Sequence, residues 1–248
     1  AIELAKVHDA DLVIGTDPNP FNFQGSNYVL TGPNATHSGT LTYSWSSQAD
    51  TTFHKGLNAF DGHTVPTNQG RWASTAVYSS GTYTGSVSTV TTNAGTINGE
   101  WIQVDVGRKV GVSSFTIHPH NKAGHKNSIG GRSPYQFRLL KSNNGIAWKI
   151  CDRVTVGSSN TDTSNWASDN SATATKTAKT FTLPNPEVGR YFRLVVEKIY
   201  KKTIGTGGNI DGACAIQELI LTGAKFPEEI DTHSDKAAPT EAAIFDIS

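Results

Sequence analysis

The chain has 248 residues, 36% of them hydrophobic and 17% charged, and its 21 basic side chains are balanced by 21 acidic ones. Balanced charge with no basic stripe excludes the electrostatic footprint of a nucleic-acid binder, and no window approaches the ~20 apolar residues of a membrane-spanning helix. The 24 glycines, with abundant Ser and Thr, suit a β-rich protein with many turns rather than a helical bundle. Two cysteines, Cys151 and Cys214, do not make a disulfide scaffold; one pair or two buried thiols both fit. The chain contains no methionine, and no secretory signal peptide is visible at Ala1.

Residues 1–40 carry a helix-compatible start, a strand-like Asp11-Leu12-Val13-Ile14, the turn signal Asp17-Pro18-Asn19-Pro20 and the sequon Asn34-Ala35-Thr36. They read as an arm that packs on the domain or docks a partner. Leu41 to Ser47 reads as a first strand. Asn58-Ala59-Phe60-Asp61-Gly62 is a tight turn with glycine where a positive φ is easy. Residues 73–99, rich in Ser, Thr, Gly and Val, suggest an extra hairpin or a long loop. Glu100 to Gly107 alternates apolar Ile102, Val104 and Val106 with Trp101, Gln103 and Asp105, which predicts a half-buried strand ending at the glycine. Gly111 to Ile117 is the next strand.

The polar run from His118 to Pro134 has no apolar period and predicts a loop. Tyr135–Ser142 and Ala147–Val156 predict a hairpin around Asn143-Asn144-Gly145. Residues 157–179 predict a long loop, and Thr180–Leu183 and Tyr191–Ile199 two strands. Lys201 to Cys214 is a Gly-rich, partly basic loop. Ala215–Thr222 fits helix or strand by pattern, and the acidic, Ala/Pro-rich tail from Lys225 predicts an extended arm. About eight strands with turn signals and no helical run between them imply an antiparallel sandwich.

In this order Asn58–Gly62, Trp72, Glu100–Gly107, Tyr135–Leu140, Asn144-Gly145 with Trp148, Arg190–Leu194 and Gln217–Gly223 resemble the discoidin family, also called coagulation factor 5/8 type C domains. The family-32 carbohydrate-binding modules share the pattern. The resemblance covers roughly residues 41–224. It implies an all-β, discoidin-like (galactose-binding-domain-like) jelly roll, with an N-terminal extension at 1–40 and a C-terminal tail at 225–248. It also favours a strand for Ala215–Thr222.

The resemblance further implies a structural calcium ion at the Asp61 turn, bound by Asp61, by Thr64 or Thr67, and by Glu218. The plainer alternative is that Asp61 only caps its turn and Glu218 lies on the surface. Sugar recognition needs an aromatic face and planar hydrogen-bonding groups. The loop from His118 offers His118, His120, Asn121, His125, Asn127 and Arg132, and in sugar-binding members of the family a His, an Arg and an Asn from such loops contact the sugar. Trp72, Tyr78 and Trp166 are candidate stacking aromatics, although Trp72 matches a family tryptophan that is often core. The histidines could instead ligate zinc or simply solvate the loop.

No His-Glu-x-x-His, Gly-x-Ser-x-Gly or phosphate-loop motif is present, and the Gly205–Gly212 run lacks dinucleotide-loop spacing. The basic Lys122, Lys126, Lys201 and Lys202 come without the apolar spike that lipid insertion needs. The expectation is therefore a non-catalytic binding protein. Loops at one end of the sandwich would recognise a glycan, a glycoprotein or a cell-surface partner, as in a lectin or adhesion module outside the cell or on a virion. The alternative is a structural or assembly subunit, such as a virion or phage surface decoration protein, gripping its neighbours through the terminal arms.

Overall fold

The computed structural model describes residues 21–22, 34–36, 40–62, 70–120, 132–161, 166, 177–200 and 212–225. The strands are β1 (Phe21–Asn22), β2 (Asn34–Thr36), β3 (Thr40–Trp45), β4 (Trp72–Ala73), β5 (Tyr78–Ser79), β6 (Thr82–Tyr83), β7 (Ser88–Thr91), β8 (Gly95–Asn98), β9 (Glu100–Pro119), β10 (Pro134–Ser142), β11 (Lys149–Thr155), β12 (Lys179–Ile199) and β13 (Ala215–Lys225). A 3-10 helix spans Gly56–Phe60.

The architecture is an antiparallel β-sandwich made from one curled sheet. Two long strands serve both layers. The first half of β9 lies between β3 and the end of β12, with Val104 opposite Tyr43 and Phe192. Its second half lies between β13 and the start of β12, with Phe115 opposite Leu221 and Phe181. β10 and β11 continue the first layer, and β4 and β1 flank β13 in the second.

The period-two pattern places Ile102, Val104 and Val106 in the core, as their alternation demands. The strand does not stop at Gly107. That residue takes φ +76°, Asp105 Oδ1 accepts its N–H at 2.8 Å, and pairing resumes at Val110. Further on, Val112 and Ser114 oppose consecutive residues Gly223 and Thr222, so Ser113 is an extra residue. Such a bulge switches the phase of burial, and the inward residues become Phe115 and Ile117. Likewise Thr180–Leu183 and Tyr191–Ile199 are two ends of one strand, β12, bent between Thr182 and Glu187.

The main core lies between the layers. Phe115 meets Phe137 edge-on at 6.3 Å and stacks on Phe181 at 5.1 Å, while Tyr43 stacks on Phe60 at 4.7 Å. A second, smaller cluster forms on the outer side of the sheet. Residues 73–99 contain two hairpins, and Ile97 of the β7–β8 pair joins Leu140, Trp148 and Val195, with Trp101, Ile150 and Tyr191 packed against them. There the Arg193 guanidinium lies 3.9 Å from the Trp101 ring centre and 4.1 Å from that of Trp148.

Ala215–Lys225 is a strand, not a helix. β1 and β2 pair with β13 and β3, so parts of the expected N-terminal arm join the sheet. The rest of that arm and the tail from 226 lie outside the described residues. The cysteines are unpaired: Cys151 is half-buried on β11 and Cys214 is fully buried before β13. Burial pushes both thiols well above their ordinary range.

Candidate functional site

The site is built around Ala215–Glu218 of β13. On one side Ile216 pairs with Trp72 of β4, and on the other with Pro119 of β9; Glu218 pairs with His118. Ala215 N–H donates to the Arg132 carbonyl at 2.9 Å. The chain segments around Arg71, His118 to His120 and Arg132 therefore converge on one end of the sandwich, although they are far apart in sequence.

The loop after β3 completes this end. Its base is anchored by the buried Glu100, whose carboxylate accepts hydrogen bonds from the Ser46, Ser47 and Tyr83 hydroxyls, the last at 3.3 Å. Beyond it, Asp50 Oδ1 accepts the N–H groups of Thr52 at 2.9 Å, Phe53 at 2.6 Å and His54 at 3.1 Å. The other Asp50 oxygen meets His54 Nδ1, and Arg71 Nη2 lies 2.6 Å from His54 Nε2. Arginine only donates, so the imidazole is neutral, with Nδ1–H toward Asp50 and the Nε2 lone pair toward Arg71. Burial pushes the Asp50 carboxyl up, but the bonds from His54 and the three N–H groups outweigh it and hold it below its usual range. Burial lowers His54, offset in part by Asp50 and reinforced by the charges of Arg71 and Arg132. Burial, then the neighbouring Arg132, brings Arg71 down to about 10. Phe53, at the head of this relay, is 45% exposed.

Asp61 and Glu218 are also brought together. Asp61 closes the 3-10 helix, and Gly62 at φ +80° donates its N–H to Glu218 Oε2 at 3.1 Å. Glu218 is fully buried, and its Oε1 has no hydrogen-bond partner. Burial, then the Asp61 charge and a hydrogen bond shared with that carboxyl, push Glu218 well above the usual carboxylate range. Gly70 takes φ +92°, and a Cβ there would sit 3.2 Å from Asp61 Oδ2.

The other expected residues fall in three groups. Asn121, His125, Asn127, Thr64 and Thr67 lie outside the described residues. His118 is half-buried on β9, where burial lowers its pKa; His120 and Arg132 are buried. The three stacking aromatics require correction, because none offers an open ring face. Trp72 and Trp166 are fully buried, their indole N–H groups donating to Ser47 O at 2.8 Å and Pro134 O at 2.9 Å. Tyr78 is buried, with its hydroxyl on Val196 O at 2.8 Å. Phe53, His54 and Arg71 were missed. Asp50 and His54 four residues apart, followed by an Arg-Trp pair, were the available signal.

No protein-family model matches the chain, and no curated protein matches it. Solved structures do. A family 32 carbohydrate-binding module from a family 31 glycoside hydrolase of Clostridium perfringens is 13% identical, covering 73% of this chain and 88% of its own, with TM-score 0.47. The module of Streptococcus pneumoniae EndoD is 13% identical, covering 78% and 97%, with TM-score 0.45. That of Clostridium perfringens NanJ, solved with galactose, is 16% identical, covering 73% and 93%, with TM-score 0.43.

Proposed function

We propose that the chain is a non-catalytic glycan-binding protein whose site lies at the end of the sandwich carrying Phe53, His54, Arg71 and Arg132. The observation that carries this reading is the exposed Phe53 beside the Asp50–His54–Arg71 relay, in which Arg71 is buried and Asp50 and His54 are partly exposed. An open aromatic face next to fixed planar donors suits a sugar ring, which presents an apolar face and a rim of hydroxyls. Asp50 is engaged by His54 and three backbone N–H groups, so the role read for the relay is to orient a ligand. Binding of this kind is weak per site and gains strength on a repetitive glycan.

The Asp61–Glu218 pair supports a structural calcium ion as part of the same reading. Two carboxyls forced together, one fully buried with an orphaned oxygen, form a donor set suited to a hard cation. Asp61 and Glu218 would hold the ion, which would supply the positive charge that lets both ionise and would fix the turn beneath the site.

A glycan array probed with the purified chain, in calcium and in chelator, tests the function. We expect binding to a related set of sugars, weakened at least tenfold by Phe53→Ala with little change in melting. An array blank under both conditions would sink the proposal.

A further inference from the structure

Arg71 and Arg132 come from different parts of the chain and meet through β13. Ala215 is bonded to the Arg132 carbonyl, and the next residue, Ile216, pairs with Trp72, which follows Arg71. Each arginine is only 6% exposed. Burying one guanidinium is costly, and a second beside it adds repulsion. The described surroundings of Arg71 do not offset this. Among the described residues, the charges that act on it are Arg132, which repels, and Asp50, which attracts. Asp50 already accepts from His54 and three backbone N–H groups. Arg71 directs one nitrogen at a neutral imidazole, and its buried Nε–H makes no hydrogen bond. A guanidinium has five donors in a rigid fork that matches a carboxylate in two-point contact.

The geometry points to a subsite for the carboxylate of an acidic sugar, with Arg71 as its principal donor, Arg132 and His54 beside it and the ring against Phe53. This rests on the glycan-binding reading and narrows it to uronic-acid-type sugars. A neutral hydroxyl would leave the guanidinium charge uncompensated. A carboxylate compensates it and accepts charge-assisted hydrogen bonds, which are roughly twice as strong as neutral ones. A sulfate ester carries similar charge in tetrahedral rather than planar form, so the two can be told apart.

Titration calorimetry of the whole chain with oligogalacturonate, oligoglucuronate and oligomannuronate, each beside its methyl ester, tests the inference; galactose and galactose 6-sulfate complete the panel. Esterification removes the charge and keeps the sugar. At least one free acid should bind, should weaken tenfold or more as its ester, and should lose that preference in Arg71→Gln. If Arg71→Gln does not fold, Arg132→Lys keeps a charge, loses the planar fork and should narrow the preference in the same way. Equal binding of acid and ester overturns the inference, as does a preference that survives in the folded variants. Tighter binding of the sulfate than of any carboxylate overturns the carboxylate assignment. Binding of galactose without any acid removes this inference and leaves the glycan reading standing; binding of no sugar removes both.

Discussion

Arg193 shows how much one side chain can organise. Its guanidinium is held between the rings of Trp101 and Trp148, with Nε and Nη2 on Gln103 Oε1 at 3.0 and 2.7 Å and Nη1 on Thr89 Oγ1 at 2.9 Å. Thr89 belongs to β7, so this residue ties the outer hairpin to the sheet. Two desolvated cation–π contacts and the lost hydrogen bonds give Arg193→Ala an expected cost of about 2–4 kcal/mol, read from urea unfolding. Arg193→Lys, which cannot reproduce the planar stack, should lose a large part of that. Asp61 makes the opposite kind of prediction, conditional on metal. Calcium at a hundred times its Kd would add about 2.7 kcal/mol, or about 5–10 °C in Tm for a domain of this size. Asp61→Ala should abolish that increment, and a wild-type Tm identical in chelator and in millimolar calcium would remove the metal from the account. At this scale the sequence was partly legible. Gly62 and the partnership of Asp61 with Glu218 were readable from the turn and the family pattern. Which aromatic is exposed was not, because a tryptophan in sequence carries no sign of which face of a strand it will occupy. Trp72 turned inward and Phe53 outward.

At the scale of elements, close backbone approach constrains β9 and β13. A Cβ on Gly223 would stand 1.8 Å from the Gly111 carbonyl oxygen, so two strands touch there with no room for a side chain. Gly223→Ala should therefore shift or break the local pairing and cost roughly 2–4 kcal/mol, because the obstructing atom is backbone. Gly95 at the tip of β7–β8 is the control: at φ +72° with nothing near its Cβ, its alanine variant should lose only about 1 kcal/mol. Equal losses in the two variants would show that packing at Gly223 is not the cause. Strand existence was legible from period-two burial, as in Ile102, Val104 and Val106. Strand continuity was not. A glycine and a bulge look like termini in sequence, yet β9 continues past both: pairing stops after Asp105 and resumes at Val110, and β13 pairs with Val112 and Ser114 on either side of Ser113.

For the whole molecule, the consequence of sharing β9 and β12 between layers is cooperativity. Neither layer can open without stripping strands from the other, so near-ultraviolet and far-ultraviolet signals should trace one coincident unfolding transition. Two separated transitions would mean that the β7–β8 hairpin or one layer melts alone. Pairing such as Glu100 with Val196 joins distant parts of the chain, and refolding on a scale of milliseconds to seconds is expected. The thiols have a further consequence. With no methionine and two cysteines, the whole sulfur content of the chain is Cys151 and Cys214, and burial holds both in the protonated form. Oxidants attack the thiolate. The cysteines of the folded chain are therefore expected to react slowly with peroxide, and unfolding to speed that reaction. Mass spectrometry after hydrogen peroxide should find the native protein unchanged and the urea-unfolded protein carrying added oxygen at these two cysteines.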